Sequence, residues 1–244
     1  MTGNLTTYIA STHRVRLLNY LPKGLKTAEI GVFEGDFSSH ILTRTEPRSL
    51  HLIDPWIHHL DANYMRDTAN SQKNEQDLRF EKVLNRFDGE IKSGVVSVVR
   101  EKFHDAVDKI NDSKFDFVYI DAMHYEKAVY DDLIHASKII GRNGIIGGHD
   151  FSNHPLSNRK NFGVIQAVKR FCEDTGYSPI LISNERWPSY FLTKPNSDLG
   201  RQFMQSLFMS DIPMFAFPAK LIGNVKQRPI QIENAEKIIT EISL

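Results

Sequence analysis

The sequence predicts an α/β fold built on a mostly parallel sheet with helices on both faces, and three observations predict it. Short β-branched runs alternate with helical patterns through most of the chain, as in βαβ units. The last two runs, SPILISN (178–184) and SYFLTK (189–194), share a connection too short for a crossover helix, so they pair antiparallel as a hairpin closing one edge of the sheet. A chain of 244 residues is long enough for one large domain with a modest appendage.

Taken in order, TAEIGVF (27–33) reads as a strand that opens through a glycine loop into a helix near 36–45. SLHLIDPW (49–56) is the next strand, and the polar, weakly periodic IHHLDANYMRDTANSQKN (57–74) is a loop over the site. A helix near 75–88 leads to the strand VVSVVRE (95–101), and a helix near 103–110 leads to FDFVYIDA (115–122). A helix near 125–140, the strand GIIGGHDF (144–151) and a helix near 162–175 complete the alternation before the hairpin. Residues 1–194 then form the main domain. Residues 195–244 form a C-terminal extension with an apolar patch, FMQSLFMSDIPMFAFPAKLI, and a final helical stretch, IENAEKIITEISL. That extension packs on the domain or forms a lid or oligomer surface.

Thirty basic residues balance thirty acidic ones, so no overall field attracts nucleic acid or an anionic membrane, and the expected partner is a small molecule. The single cysteine, Cys172, sits in an apolar helical pattern and reads as a core residue. Neither a signal-peptide segment nor eighteen consecutive apolar residues occur, which points to the cytoplasm and makes Asn4-Leu5-Thr6 a chance glycosylation match.

Chemistry enters with AEIGVFEGDFSS (28–39). Gly31 and Gly35 lie four apart, so the G-x-G-x-x-G dinucleotide fingerprint is absent. Glu29 stands at the mouth of the loop instead, where it would repel a pyrophosphate but suits a ligand with an ammonium group. Asp54, about twenty residues on, falls where α/β nucleoside sites place an acid on the ribose hydroxyls. A nucleoside bearing an amino acid satisfies both acids, and S-adenosylmethionine is that ligand.

EIGVFEG, LIDPW, YIDAMHYEKAVYDD, GIIGGHDF and GVIQAV resemble the class I S-adenosylmethionine-dependent methyltransferases, over roughly residues 25–194. The closest resemblance is to the group with macrolide-sugar O-methyltransferases and cephalosporin-biosynthesis relatives. It implies a Rossmann-like, seven-stranded sheet whose last strand is antiparallel. It also implies Glu29 and Gly31 near the methionine moiety, Asp54 at the ribose, and Trp56, Arg100 and Glu101 as adenine-side contacts; Gly35 completes the expected cofactor-binding set.

Asp121, His124, His149 and Asp150 all fall at or just past the carboxyl ends of neighbouring strands, the edge along which open α/β sheets bind ligands. Singly, each has a structural explanation as a helix cap, surface residue or loop anchor; together they favour function. Methyl transfer to a hydroxyl needs the oxygen aligned behind the methyl and stripped of its proton. His124 titrates in the right range for a base, and Asp121 is expected beside both cofactor and metal. A cation on Asp121, His149 and Asp150 would lower the hydroxyl's pKa. The resemblance implies acidic or amide ligands at the last two positions. His149 departs from that pattern: its imidazole either does not ligate the cation or shifts preference from magnesium toward manganese, iron or zinc, and the cation expected is magnesium or manganese ahead of iron or zinc. His58, His59 and the loop SNHPLSNRKN (152–161) are further candidates on the acceptor side.

The function expected is O-methylation of a sugar or natural-product hydroxyl by a chain that acts alone or as a homo-oligomer. Two alternatives stand beside it: an S-adenosylmethionine-binding protein without turnover, and a metal-dependent, oxygenase-like enzyme on the same fold.

Overall fold

The computed structural model describes residues 5–60, 69–110, 114–232 and 235–242. Its elements are β1 (Thr6–Ala10), α1 (Arg14–Leu17), β2 (Lys26–Ile30), α2 (Asp36–Thr45), β3 (Ser49–Ile53), α3 (Lys73–Arg86), α4 (Asp88–Lys92), β4 (Val96–Val99), α5 (Phe103–Ile110), β5 (Phe115–Ile120) and α6 (Glu126–Ile139). There follow β6 (Ile140–Gly148), α7 (Pro155–Arg159), α8 (Val164–Thr175), β7 (Ser178–Ser183), β8 (Tyr190–Thr193), α9 (Asp198–Phe208), β9 (Met214–Pro218), β10 (Val225–Ile232) and β11 (Ala235–Ile242).

The main sheet runs β4-β3-β2-β5-β6-β8-β7-β1-β9. From β4 to β6 all neighbours are parallel, and β8 lies antiparallel between β6 and β7. Seven of the strands, β2 to β8, give the arrangement expected. Central strands such as β5, FDFVYI, are buried on both faces, which is why they read as continuous apolar runs rather than alternating ones. One face is covered by α5, α6 and α8, through Val107, Leu133, Val168 and Phe171; the other by α1, α2, α3 and α9, through Leu17, Ile41, Val83 and Phe203.

The sheet has nine strands, and the β7–β8 hairpin does not close its edge. β1 adds parallel to β7, and β9 adds antiparallel to β1. TTYIA is too short to announce itself, and its partner Leu181 lies far away in sequence. The extension packs onto the domain through α9, whose Leu199, Phe203 and Leu207 are buried, and through β9. Its last segment is the strand β11, paired antiparallel with β10, where a helix was expected. The isoleucine spacing there imitates a helical period, but Ile238, Ile239, Thr240 and Ile242 are β-branched, and β10 supplies a partner. Residues 61–68 of the predicted loop, 233, 234, 243 and 244 of the final stretch, and Asn4 lie outside the described residues. Among the described residues no helix is long and apolar enough to cross a membrane.

Candidate active site

A cavity of about 920 Å³ opens along the carboxyl ends of β2, β3, β4 and β5 and against α6. It lies where the strand order reverses: the chain leaves β2 toward β3 on one side, while β5 lies on the other. Connections diverge at such a point and leave a crevice that ligands enter.

Gly31 forms the floor. Its φ is +84°, and a Cβ there would lie 2.2 Å from the Asp121 carbonyl oxygen, so only glycine lets the loop cross the end of β5. Glu29, at the wall beside it, is 1% exposed and accepts a hydrogen bond from the Ser38 hydroxyl. Burial pushes its carboxyl up to about 8, with the Ser38 bond acting in the opposite direction. Asp54 holds the loop's shape. Its Oδ2 accepts from the N–H groups of Val32 at 2.9 Å and Phe33 at 3.0 Å, and its Oδ1 from Trp56 N–H at 2.8 Å. Burial nevertheless raises its pKa.

The predicted strand-end residues converge. His124 lines the cavity, and its Nε2 lies 2.8 Å from Oδ2 of Asp150 and 3.8 Å from Oδ1 of Asp121. His149 Nδ1 lies 3.2 Å from Asp150 Oδ2 and 3.5 Å from Asp121 Oδ1. Burial lowers the pKa of His149, but the Asp121 and Asp150 carboxylates outweigh it and hold the imidazole at about 9. Both carboxyls stay below their usual range although burial opposes this, because His149 and His124 face them. Neither His149 nor Asp150 is on the cavity wall, so Asp150 supports His124 from behind. One ligand atom each from Asp121, His124 and Asp150 lie within 4.8 Å of one another, a set that includes His124 where His149 was expected.

Three positive-φ residues surround the cavity's strand ends: Phe33 at 56°, Trp56 at 41° and Asp150 at 57°. Non-glycine residues seldom adopt this region, and such strain gathers at functional sites.

Gly35, Trp56 and Glu101, expected at the cofactor, are not on the wall. Gly35 turns the chain into α2 with φ +78°, and a Cβ there would meet the Phe87 ring. The left-handed backbone at Trp56 turns its indole inward, 1% exposed, with Nε1 donating to the Phe33 carbonyl at 2.9 Å. Glu101 pairs with Lys109, and Arg100 with Asp77. Lys102 and Phe103 take the wall position beyond β4 instead. Of the loop histidines, His59 is on the wall, whereas His58 bonds the Ser71 carbonyl at 3.1 Å.

Sequence reasoning missed Arg14. Its Nη1 donates to Asp121 Oδ2 at 2.6 Å and to the Tyr119 hydroxyl at 3.2 Å, and its guanidinium lies 4.2 Å from the centre of the Phe37 ring. The only local signal was the basic run HRVR.

The family model described as a methyltransferase domain matches residues 28–151, half of the chain and every strand end that forms the cavity. The chain belongs to this methyltransferase family. It is an S-adenosylmethionine-dependent methyltransferase. No curated protein matches its sequence. Among solved structures it is similar to an O-methyltransferase family protein from Burkholderia thailandensis, with 11% identity, 74% of this chain and 55% of that one covered, and a TM-score of 0.52. Fibrillarin from Aeropyrum pernix, solved with natively bound S-adenosyl-L-methionine, is 10% identical over 70% of this chain and 67% of its own, with a TM-score of 0.50. The Streptomyces achromogenes O-methyltransferase TomG, in complex with the same cofactor, is 16% identical over 74% and 78%, with a TM-score of 0.49. These likenesses concern the fold; the methyltransferase's acceptor has to be argued from its own residues.

Proposed function

We propose that this methyltransferase acts on a hydroxyl of a small molecule, a sugar or natural product, with His124 as general base. The observation that carries the reading is the pair at the cavity wall: His124 faces the cavity, and Asp150 stands 2.8 Å behind its Nε2. A carboxylate so placed fixes the imidazole's orientation and stabilises the imidazolium formed when it takes a proton.

The residues fit the methyl donor. Its cradle is the Gly31 crossing, which brings backbone close to a ligand, and Glu29 is suited to an ammonium group. Asp54 retains lone pairs for ribose hydroxyls beyond its three backbone bonds. Gly35 and Trp56 support this loop from behind. When bound, S-adenosylmethionine supplies an electrophilic methyl on a sulfonium. The chain's task is to hold the acceptor oxygen in line with that methyl and to remove its proton.

The set Asp121, His124 and Asp150 also fits a divalent cation, which would add Lewis acidity toward the hydroxyl; His124 would then serve as a ligand rather than as the base. With an imidazole in the set, manganese, iron or zinc gains on magnesium.

Incubation with methyl-labelled S-adenosylmethionine and a panel of glycosides and phenols, read by product mass, tests the reading. His124→Ala should bind S-adenosylhomocysteine within about 3-fold of wild type while turnover falls roughly 10²- to 10⁴-fold. Unchanged turnover would remove His124 as the base. A wild-type protein that binds no S-adenosylmethionine would overturn the whole reading.

A further inference from the structure

We propose that Arg14 is the receptor for the carboxylate of the methionine tail, while Glu29 takes the ammonium of the same tail. This rests on the reading that the cavity holds S-adenosylmethionine. A zwitterionic tail brings one charge of each sign and has to meet a partner for each, because an unpaired charge in a closed cavity is costly. Beside Gly31 the wall carries Asp54, Asp121 and the buried carboxyl of Glu29, none of which offers a carboxylate a partner of opposite charge. Among the described wall residues only Arg14 and Lys102 are permanently cationic, and Lys102 lies past the end of β4, away from the glycine loop. Arg14 touches both Asp121 and Phe37, at the same end of the cavity as Gly31.

The side chain is held ready for this role. Its backbone N–H donates to Glu185 Oε1 at 2.8 Å, and the same oxygen accepts from the Ser183 hydroxyl at 2.6 Å, tying the residue to the end of β7. Among the described residues, every hydrogen bond of the guanidinium runs through Nη1, to Asp121 and Tyr119. Nε and Nη2 are left to donate, and a guanidinium edge matches a carboxylate with two parallel bonds. Asp121 and the Phe37 face fix the fork before the ligand arrives, which reduces the ordering cost of binding. Arg14 lies outside residues 28–151, so the family match does not include it.

The test compares two ligands that share the nucleoside and differ in the tail. S-adenosylhomocysteine carries the amino acid; 5′-methylthioadenosine lacks it. Arg14→Ala should weaken S-adenosylhomocysteine about 10- to 100-fold and leave methylthioadenosine within about 3-fold, with Arg14→Lys intermediate. Arg14→Gln, which preserves a hydrogen bond to Asp121 without the charge, should follow the alanine variant and serves where that variant does not fold. Equal losses for both ligands would make Arg14 a structural support and overturn the proposal, as would no loss for either. A wild-type protein that binds neither ligand would instead refute the cofactor reading.

Discussion

Replacing Glu29 by glutamine separates the folding role of this carboxyl from its role in binding. The native state of the ligand-free protein holds a proton on Glu29 up to about pH 8, because burial disfavours the charge, whereas the unfolded chain releases it near the ordinary value of 4.5. A raised carboxyl pKa contributes stability that is fully present below 4.5 and is lost as pH rises through 8. The gap corresponds to roughly 4 to 5 kcal/mol above the upper pKa. Glutamine carries no charge and retains an oxygen for the Ser38 hydroxyl, so Glu29→Gln should match wild type within about 1 kcal/mol at pH 5 and exceed it by several kcal/mol at pH 9. Urea unfolding of both proteins across that range measures this. Other groups titrate equally in both, so the difference isolates Glu29. The sign reverses for binding: a ligand ammonium lowers the Glu29 pKa, so the variant should hold S-adenosylhomocysteine more weakly. A stability difference that stays constant from pH 5 to 9 would refute the reasoning.

Gly31→Ala places a Cβ 2.2 Å from the Asp121 carbonyl oxygen at φ +84°, against backbone that cannot rotate away. Left-handed backbone alone costs roughly 1–2 kcal/mol, and with the clash the loss should be about 3 kcal/mol or more; a midpoint shift worth less than about 1 kcal/mol would contradict the close approach. Removal of divalent ions with EDTA should lower turnover at least about 10-fold, with recovery on adding manganese or magnesium. Turnover unaffected by the chelator would leave His124 and Asp150 acting without a metal.

How much of this was legible in the sequence depended on where the determining contacts lie. Helices α2 and α5 begin and end at the residues expected, because the glycine at 35 and the apolar periodicity of 103–110 are local signals. The convergence of Asp121, His124, His149 and Asp150 was legible because parallel strands share an edge, so strand ends far apart in sequence meet without any side-chain detail. Arg14 was not. It reaches the cavity because β1 pairs with β7, about 170 residues away, and no local pattern records that contact. The position of Trp56 was illegible for a different reason: its φ is left-handed and its indole lies buried off the cavity wall, and a spacing argument carries no dihedral.

The ladder bonds set the proposed cofactor and base residues apart from the segments outside the sheet. Gly31 N–H donates to Ile53 O, Asp54 to Val99, Asp121 to Ile30 and His149 to Ile120, all at 2.7–3.2 Å. Each residue lies one step beyond its strand yet is still held by the neighbouring strand, so these positions inherit the rigidity of the sheet. Residues 57–60 and 69–72 are not in the sheet, and Ile57, His59, Leu60 and Ala69 among them line the cavity, whereas none of residues 152–161 does; segments outside a sheet tolerate changes in sequence. Asp150 belongs to both regimes. It follows the last ladder bond, stands beside His124, and bends the chain at φ 57° into residues 152–161, which were expected as a loop but contain the short helix α7, with Phe151 N–H next fixed to the Pro188 carbonyl at 2.9 Å. An exchange of residues 152–161 that keeps Asp150 and Phe151 should therefore leave turnover by the proposed base His124 within a few-fold of wild type, whereas one that relieves the bend should lose it.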